Sequence, residues 1–366
     1  MLSAERIDLL VGTRPEAIKM EPVARALAAA GAALRIVFSG QHPLDPADYG
    51  LEDIDNIRLH CASLGAPFAH SERLSHMVLA LCTDDPPAML AVHGDTSTAL
   101  GGALAAERLG LPLAHVEAGL RSFDPLYPWP EEENRVAIDR RADLLLAPTE
   151  WNAANLRAEG VRGAIHVTGN SGIDALLGAL PPPQPRLPGP PRLLVTCHRR
   201  ENWGEPMRHV ALALADLAAL RAFDIAVVLH PNPGVASAMS EWLRAVPGVD
   251  LVDPLDHPTM IAAIRSSDIV LSDSGGMQEE CPALGVPLLV LRDKTERPEG
   301  VASGTTLLVG TNRERIVATV LRLLDPAVHA AMARVAFPFG DGHAAPRIAA
   351  RILDHLAAGR RAVRRA

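Results

Sequence analysis

The sequence predicts an α/β protein built as two domains, each a parallel sheet covered on both faces by helices. Three observations predict it. Short, continuous apolar runs alternate with helical patterns, and a strand buried on both faces reads as such a run. The chain has 366 residues, more than one core of roughly 150 residues usually organises. Finally, seven prolines crowd into the eleven residues Pro181–Pro191, midway along the chain.

Ile7–Val11 is the first apolar run. It ends at Gly12, and a helical pattern follows from Pro15 to Ala30, with proline at an early helical position. Leu34–Phe38 is the next strand. Ala88–Val92 leads into the polar group His93, Gly94, Asp95 and Thr96, then a helix over Ser97–Leu109. Leu113–Val116, Leu144–Leu146 and Ile165–Val167 repeat the rhythm. A proline run can be neither helix nor central strand, so Pro181–Pro191 reads as a stiff linker. Beyond it the strands are Leu193–Thr196, Ile225–Leu229, Val249–Val252, Ile269–Leu271 and Pro287–Leu291. The expected division is therefore residues 1–180, a linker at 181–191, and a second domain at 192–345. A last helix, about residues 346–366, could pack on either domain.

Composition excludes several function classes. Lys+Arg 35 against Asp+Glu 43 gives a net charge of −8, which argues against general binding of nucleic acid or anionic membrane. No stretch approaches the ~20 apolar residues that span a bilayer, and the first residues do not read as a signal peptide. Cys61, Cys82, Cys197 and Cys281 form no CxxC pair, so neither a zinc ribbon nor a disulfide framework is expected, and reduced thiols in a cytoplasm are. No HExxH motif, P-loop or GxSxG elbow is present, and no metal is expected.

In open α/β sheets, ligands bind outside the carboxyl ends of the strands. The polar clusters Gly12–Glu16, His93–Asp95, Glu117–Arg121, His198–Asn202, His230–Asn232 and Asp273–Gly276 all follow strand candidates. Two facing domains are thus expected to line one cleft with them. Asp273-Ser274-Gly275-Gly276 ends a strand and opens a helix, where free N–H groups and the positive dipole end suit a diphosphate. Glu280, further along that helix, is placed to accept from a ribose diol; the alternative is a plain turn with Ser274 as N-cap. Gly12-Thr13-Arg14-Pro15-Glu16 lacks GxGxxG spacing, which argues against a standard NAD site. Arg14 and, one turn on, Lys19 are candidate phosphate partners, with a surface ion pair as the alternative for Arg14. Asp95, Glu117 and Glu131 are carboxylates at element ends, suited to acid and base work on a sugar; singly, each could equally be an N-cap or a solvated charge. His198 follows the first strand of the second domain and suits a phosphate, while Arg199, Arg200 and Glu201 could simply pair locally.

Together these segments resemble the non-hydrolysing UDP-N-acetylglucosamine 2-epimerase family. The resemblance is carried by GTRPEAIKM (12–20), VHGDTST (92–98), HVEAGLRS (115–122), PWPEEENR (128–135), TGNSGIDAL (168–176), HRRENW (198–203), HPNP (230–233), DSGGMQEE (273–280), LRDKTERPEG (291–300) and FGDGHAAPRI (339–348), in family order. It implies a glycosyltransferase-B-like arrangement of two Rossmann-like domains with a UDP-sugar in the cleft, no cofactor, and a homodimer. It also implies that Asp95, Glu117 and Glu131 are catalytic, with His198 beside them. Arg14, Lys19, Ser274, Gly275, Gly276, Glu280 and Arg297 would contact the nucleotide, and Arg135 and His230 would assist.

The expected reaction breaks the C1–O bond to UDP as a carboxylate removes the C2 proton, giving a glycal plus UDP. Returning both with the proton on the other face of C2 completes the inversion. The chain departs from the family at Pro43–Asp48, where a longer polar stretch associated with regulatory UDP-N-acetylglucosamine is common. It also departs at Met260, in place of an aromatic that packs on uracil, and at Phe339, in place of tyrosine. The first departure also fits an epimerase of a modified UDP-N-acetylhexosamine or a hydrolysing enzyme. A non-catalytic UDP-sugar-binding protein is the reading from another class; it gives no reason for three retained carboxylates.

Overall fold

The structure, a computed structural model, describes residues 6–62, 65–182, 189–197 and 199–363. The chain divides into two compact units. One comprises the residues up to 175 together with those from 339 onward; the other comprises residues 176–338.

The first unit runs β1 (Arg6–Val11), α1 (Arg14–Ala29), β2 (Ala33–Phe38), β3 (Asn56–Arg58), α2 (Pro67–Asp84), β4 (Met89–His93), α3 (Ser97–Leu109), β5 (Leu113–Val116), α4 (Glu131–Asp139), β6 (Leu144–Ala147), α5 (Glu150–Ala158), β7 (Ala164–Val167) and α6 (Ser171–Gly178). The unit boundary falls inside α6. The strands form a parallel sheet in the order β3-β2-β1-β4-β5-β6-β7 among the described residues. Alternation along β1 feeds two cores: Leu9 and Val11 join Met20 and Leu27 of α1, whereas Leu10 joins Leu74 and Val78 of α2 and Ala103 of α3. The chain order reverses between β1 and β4, which makes the ends of these neighbouring strands the switch point of the sheet.

The second unit runs β8 (Arg192–Thr196), α7 (Glu205–Ala219), β9 (Asp224–Val228), α8 (Pro233–Leu243), β10 (Val249–Val252), α9 (His257–Arg265), β11 (Ile269–Ser272), α10 (Gly275–Leu284), β12 (Leu288–Val290), α11 (Pro298–Ala302), β13 (Thr306–Leu308), α12 (Arg313–Arg322) and α13 (Pro326–Met332). Its parallel sheet has the order β10-β9-β8-β11-β12-β13 among the described residues, with the switch between β8 and β11. The last helix, α14 (Ala344–Val363), belongs to the first unit. Its Ala344, Ile348 and Ile352 are fully buried in the core that α1 also lines. Asp174 of α6 accepts from the Ala344 and Ala345 N–H groups at 3.1 and 2.8 Å, capping α14.

The expected strands are present. β3 and β13 are additions, three-residue strands at sheet edges that carry no apolar run to announce them. Much of the proline stretch, residues 183–188, lies outside the described residues, as does His198. All four cysteines are free and buried. Among the described residues no helix is long and apolar enough to cross a membrane, and no group of three or more His, Cys, Asp or Glu is arranged to hold a metal ion.

Candidate active site

The switch point of the first sheet is built from the β1–α1 turn. Thr13 is the N-cap of α1, and Glu16 reaches back in a capping box. Glu16 Oε2 accepts from Gly12 N at 3.0 Å, Thr13 N at 2.7 Å and Thr13 Oγ1 at 2.8 Å. Its Oε1 accepts from Thr96 Oγ1 at 2.7 Å, tying the turn to the start of α3. Burial pushes the Glu16 carboxyl up to about 7 even against these bonds. Gly12 has no room for a side chain: a Cβ there would lie 1.9 Å from Thr98 Oγ1. Arg14 opens α1 and is half-buried.

The carboxylates gather at this switch point. Glu117 follows β5 in a left-handed conformation, φ 68°, one that costs a non-glycine residue free energy and so needs support from its surroundings. Its N–H donates to the Leu146 carbonyl at 3.1 Å. Its Oε1 accepts from Lys19 Nζ at 2.5 Å and from Asn170 Nδ2 at 3.1 Å. Lys19, expected at a phosphate, is therefore ion-paired with a carboxylate. Asp95 follows β4, next to β5, and is partly exposed. Its Oδ2 accepts from Arg135 Nε at 3.1 Å and also from Arg135 Nη2. Arg135 Nη1 donates to Glu132 at 2.8 Å. Glu131 is the first residue of α4 and half-buried. Asn134 and Arg135 of that helix both bind Asp95, with Asn134 Nδ2 donating to the Asp95 backbone carbonyl at 2.8 Å. The structure thus brings Asp95, Glu117, Lys19, Arg135 and the start of α4 together at the carboxyl ends of β4 and β5.

In the second unit the switch point carries the DSGG turn. Ser274 holds the N-cap position of α10, but its side chain makes no capping bond to the helix. The first-turn N–H groups have no intrahelical partner by construction. Asp273 Oδ2 accepts from Arg199 N and Asn202 Nδ2, both at 2.9 Å, which fastens the turn to the segment after β8. Arg297 is the N-cap of α11 and covers Gly275; a Cβ at Gly275 would meet Arg297 Nη1 at 2.9 Å. Its guanidinium donates to Glu279 Oε1 at 2.7 Å and to Glu296. Glu280 Oε1 lies 3.0 Å from His257 Nε2. His230 Nδ1 accepts from Asn232 N at 2.9 Å, so this ring carries its proton on Nε2 when neutral.

Sequence reasoning assigned no individual role to several residues of the first unit. His93, at the end of β4, is buried; burial pushes its pKa down to about 4, so the ring is neutral. Its Nε2 has no hydrogen-bond partner. His115, Asp139 and Arg121 form a buried network, with His115 Nδ1 2.6 Å from Asp139 Oδ1 and Arg121 Nη2 2.7 Å from Asp139 Oδ2. The one available signal was charge in otherwise apolar strand and helix-end positions.

The chain matches the family described as UDP-N-acetylglucosamine 2-epimerase over residues 25–353. It is 39 % identical to the UDP-N-acetylglucosamine 2-epimerase of Escherichia coli (strain K12), across 94 % of this chain and 97 % of that protein. A crystal structure of UDP-GlcNAc 2-epimerase from Neisseria meningitidis bound to UDP-GlcNAc superposes with a TM-score of 0.88 at 33 % identity, covering 95 % of this chain and 100 % of the other. The Staphylococcus aureus MnaA–UDP co-structure gives a TM-score of 0.87 at 34 % identity, covering 96 % and 97 %. These neighbours share the glycosyltransferase-B-like architecture of two parallel-sheet α/β domains.

Proposed function

The chain belongs to the UDP-N-acetylglucosamine 2-epimerase family, and on that premise we propose that it is the non-hydrolysing isomerase. It interconverts UDP-N-acetylglucosamine and UDP-N-acetylmannosamine. The observation that carries this reading is the gathering of Asp95, Glu117 and the start of α4, with its Glu131, at the switch point of one sheet. A nucleotide-binding module needs cations and N–H groups; it has no use for several carboxylates on the sugar.

The chemistry follows from the substrate. The C2–H bond is not next to a carbonyl, so a carboxylate removes the proton only as the C1–O bond to UDP breaks. The C–H electron pair becomes the C1=C2 bond and the C1–O pair leaves on UDP. A carboxylate then returns a proton to the opposite face of C2, and UDP oxygen re-forms the bond to C1. No electrons are gained or lost overall. Asp95, Glu117 and Glu131 serve the proton transfers. Lys19 and Arg135 hold two of these carboxylates in place. Ser274, Gly275, Gly276 and the α10 N-terminus, with Arg14, Arg297, His198 and His230, stabilise the departing diphosphate, and Glu280 holds the ribose.

The test is incubation with UDP-N-acetylglucosamine in D2O. UDP-N-acetylmannosamine with deuterium at C2 is expected; absence of both refutes the reading, and stoichiometric free UDP with free sugar replaces it by hydrolysis. The chain is further proposed to act as a homodimer in the cytoplasm. Light scattering that returns a monomer mass refutes the first, and four buried thiols free of disulfides support the second.

A further inference from the structure

We infer that His115, anchored by Asp139, is a positioning residue that sets the Asp95 and Glu117 turns for the proton transfers; this rests on the epimerase reading above. His115 and Asp139 are fully buried. The ring lies between two acceptors. Nε2 is 2.7 Å from the Gly94 carbonyl oxygen, which can only accept, so Nε2 donates. Nδ1 is 2.6 Å from Asp139 Oδ1. Burial works to raise the Asp139 pKa, but His115 and Arg121 outweigh it and hold the group below the ordinary carboxylate range. Asp139 is therefore ionised. Both ring nitrogens are thus taken up by protein acceptors, and neither is free for a substrate.

The network joins the segments that carry the reaction. Gly94 immediately precedes Asp95 and has φ 64°. Fixing its carbonyl fixes the plane of the Gly94–Asp95 peptide, and with it the direction in which the Asp95 side chain leaves. The Gly94 N–H donates to the Val116 carbonyl at 2.9 Å, one residue before Glu117. The two turns are interlocked closely enough that a Cβ on Gly94 would sit 3.2 Å from Glu117 Oε2. Asp139 is the last residue of α4, the helix that starts at Glu131 and presents Arg135 to Asp95. Asp139 Oδ2 also accepts from Gly119 N at 3.2 Å and from Arg121 Nη2 at 2.7 Å, and Arg121 Nε reaches Glu159 at 2.6 Å. One imidazole ring thus bonds the β4 turn, through its own strand bonds the β5 turn, and through Asp139 bonds α4. A hydrophobic residue would fill this space without desolvating charges; the ionic network instead fixes directions.

Two variants separate the bonds. In His115→Asn the amide coincides with Nδ1 and reaches Asp139 but not Gly94. In His115→Gln it coincides with Nε2 and reaches Gly94. The expected result is a kcat about 100-fold lower for the Asn variant with KM within about threefold, as for reacting groups displaced by about 1 Å. The Gln variant should recover at least about tenfold of that loss. Glu159→Gln loosens only the outer end of the network and should leave kcat within about twofold. Equal losses in the Asn and Gln variants, or an unchanged kcat in the Asn variant, overturn the inference. If His115→Asn does not fold, Asp139→Asn, which weakens the anchor of the ring while keeping its shape, should lower kcat with KM within about threefold, and an unchanged kcat overturns the inference.

Failure of the epimerase reading is seen separately, as an inactive wild type. Crystal structures of the variants then decide the inference: it predicts that Asp95 moves off Arg135 Nε in the Asn variant and stays in the Gln variant. An unmoved Asp95 in both overturns it.

Discussion

Replacing Lys19 with methionine should lower the melting temperature of the first unit by roughly 6–12 °C. Lys19 Nζ lies 2.5 Å from Glu117 Oε1, and the two side chains are only 11 % and 8 % exposed. At an effective dielectric constant near 20 the direct attraction at that distance is of order 6 kcal/mol. Part of it offsets the desolvation of both ions, and Asn170 Nδ2 at 3.1 Å remains to support the carboxylate. Breaking a buried pair from one side typically costs 3–5 kcal/mol; residual solvent contact places this one near the low end, about 3 kcal/mol. In a unit of this size each kcal/mol moves the midpoint by about 2–4 °C. The assay is differential scanning calorimetry of the full chain, with Lys19→Met, Glu117→Gln and the double variant compared. The double variant buries no unpaired charge and should regain about half of the Lys19→Met shift. A double variant that melts at the simple sum of the two single shifts would refute the reasoning, because uncoupled residues are additive.

Three more predictions follow from the same geometry. Glu16 is raised to about 7 in the folded chain from an ordinary 4.5. Between those values the unfolded state binds fewer protons, so this group's contribution is present below about pH 4.5 and falls by about 3 kcal/mol as pH rises to about 7. Glu16→Gln should flatten that part of the stability-versus-pH curve in urea titrations, and an unchanged slope relative to wild type rejects the assignment. Gly275→Ala places a Cβ 2.9 Å from Arg297 Nη1, whose guanidinium is tethered to Glu279 and Glu296. UDP affinity by calorimetry should fall about tenfold, equivalent to about 1.4 kcal/mol, and a change below twofold shows that the turn does not hold the diphosphate. Glu280→Gln should weaken UDP about tenfold while leaving 2′,3′-dideoxy-UDP unaffected, as expected for a charged hydrogen bond to the ribose; equal losses for both ligands remove that role.

The fold could be read from the sequence wherever a strand is buried on both faces. Ile7–Val11 and Leu113–Val116 are continuous apolar runs because a core lies on each side of them. Asn56–Arg58 and Thr306–Leu308 escaped because edge strands need no such run. The ends of β1, β4, β5 and β11 were legible as candidate site positions because polar residues follow apolar strands there. What each group touches was not legible. Lys19 and Arg297 are cations near the glycine-containing strand–helix turns, and nothing in their spacing says that a carboxylate distant in sequence takes each of them. His115 and Asp139 were hidden for the same reason. They lie 24 residues apart on a strand and a helix end, and only the packing of α4 against β5 makes them a pair.

The return of α14 to the first unit has a consequence for how the protein is made. Ala344, Ile348 and Ile352 complete a core begun by Leu9, Val11 and Met20. During translation that core stays uncovered until residues 344–352 leave the ribosome, long after the strands they shield have been synthesised. A premature stop codon shortly before residue 344 would therefore harm the first unit more than the second. It would release a product whose second unit, residues 176–338, is intact while its first unit exposes greasy surface to chaperones and proteases.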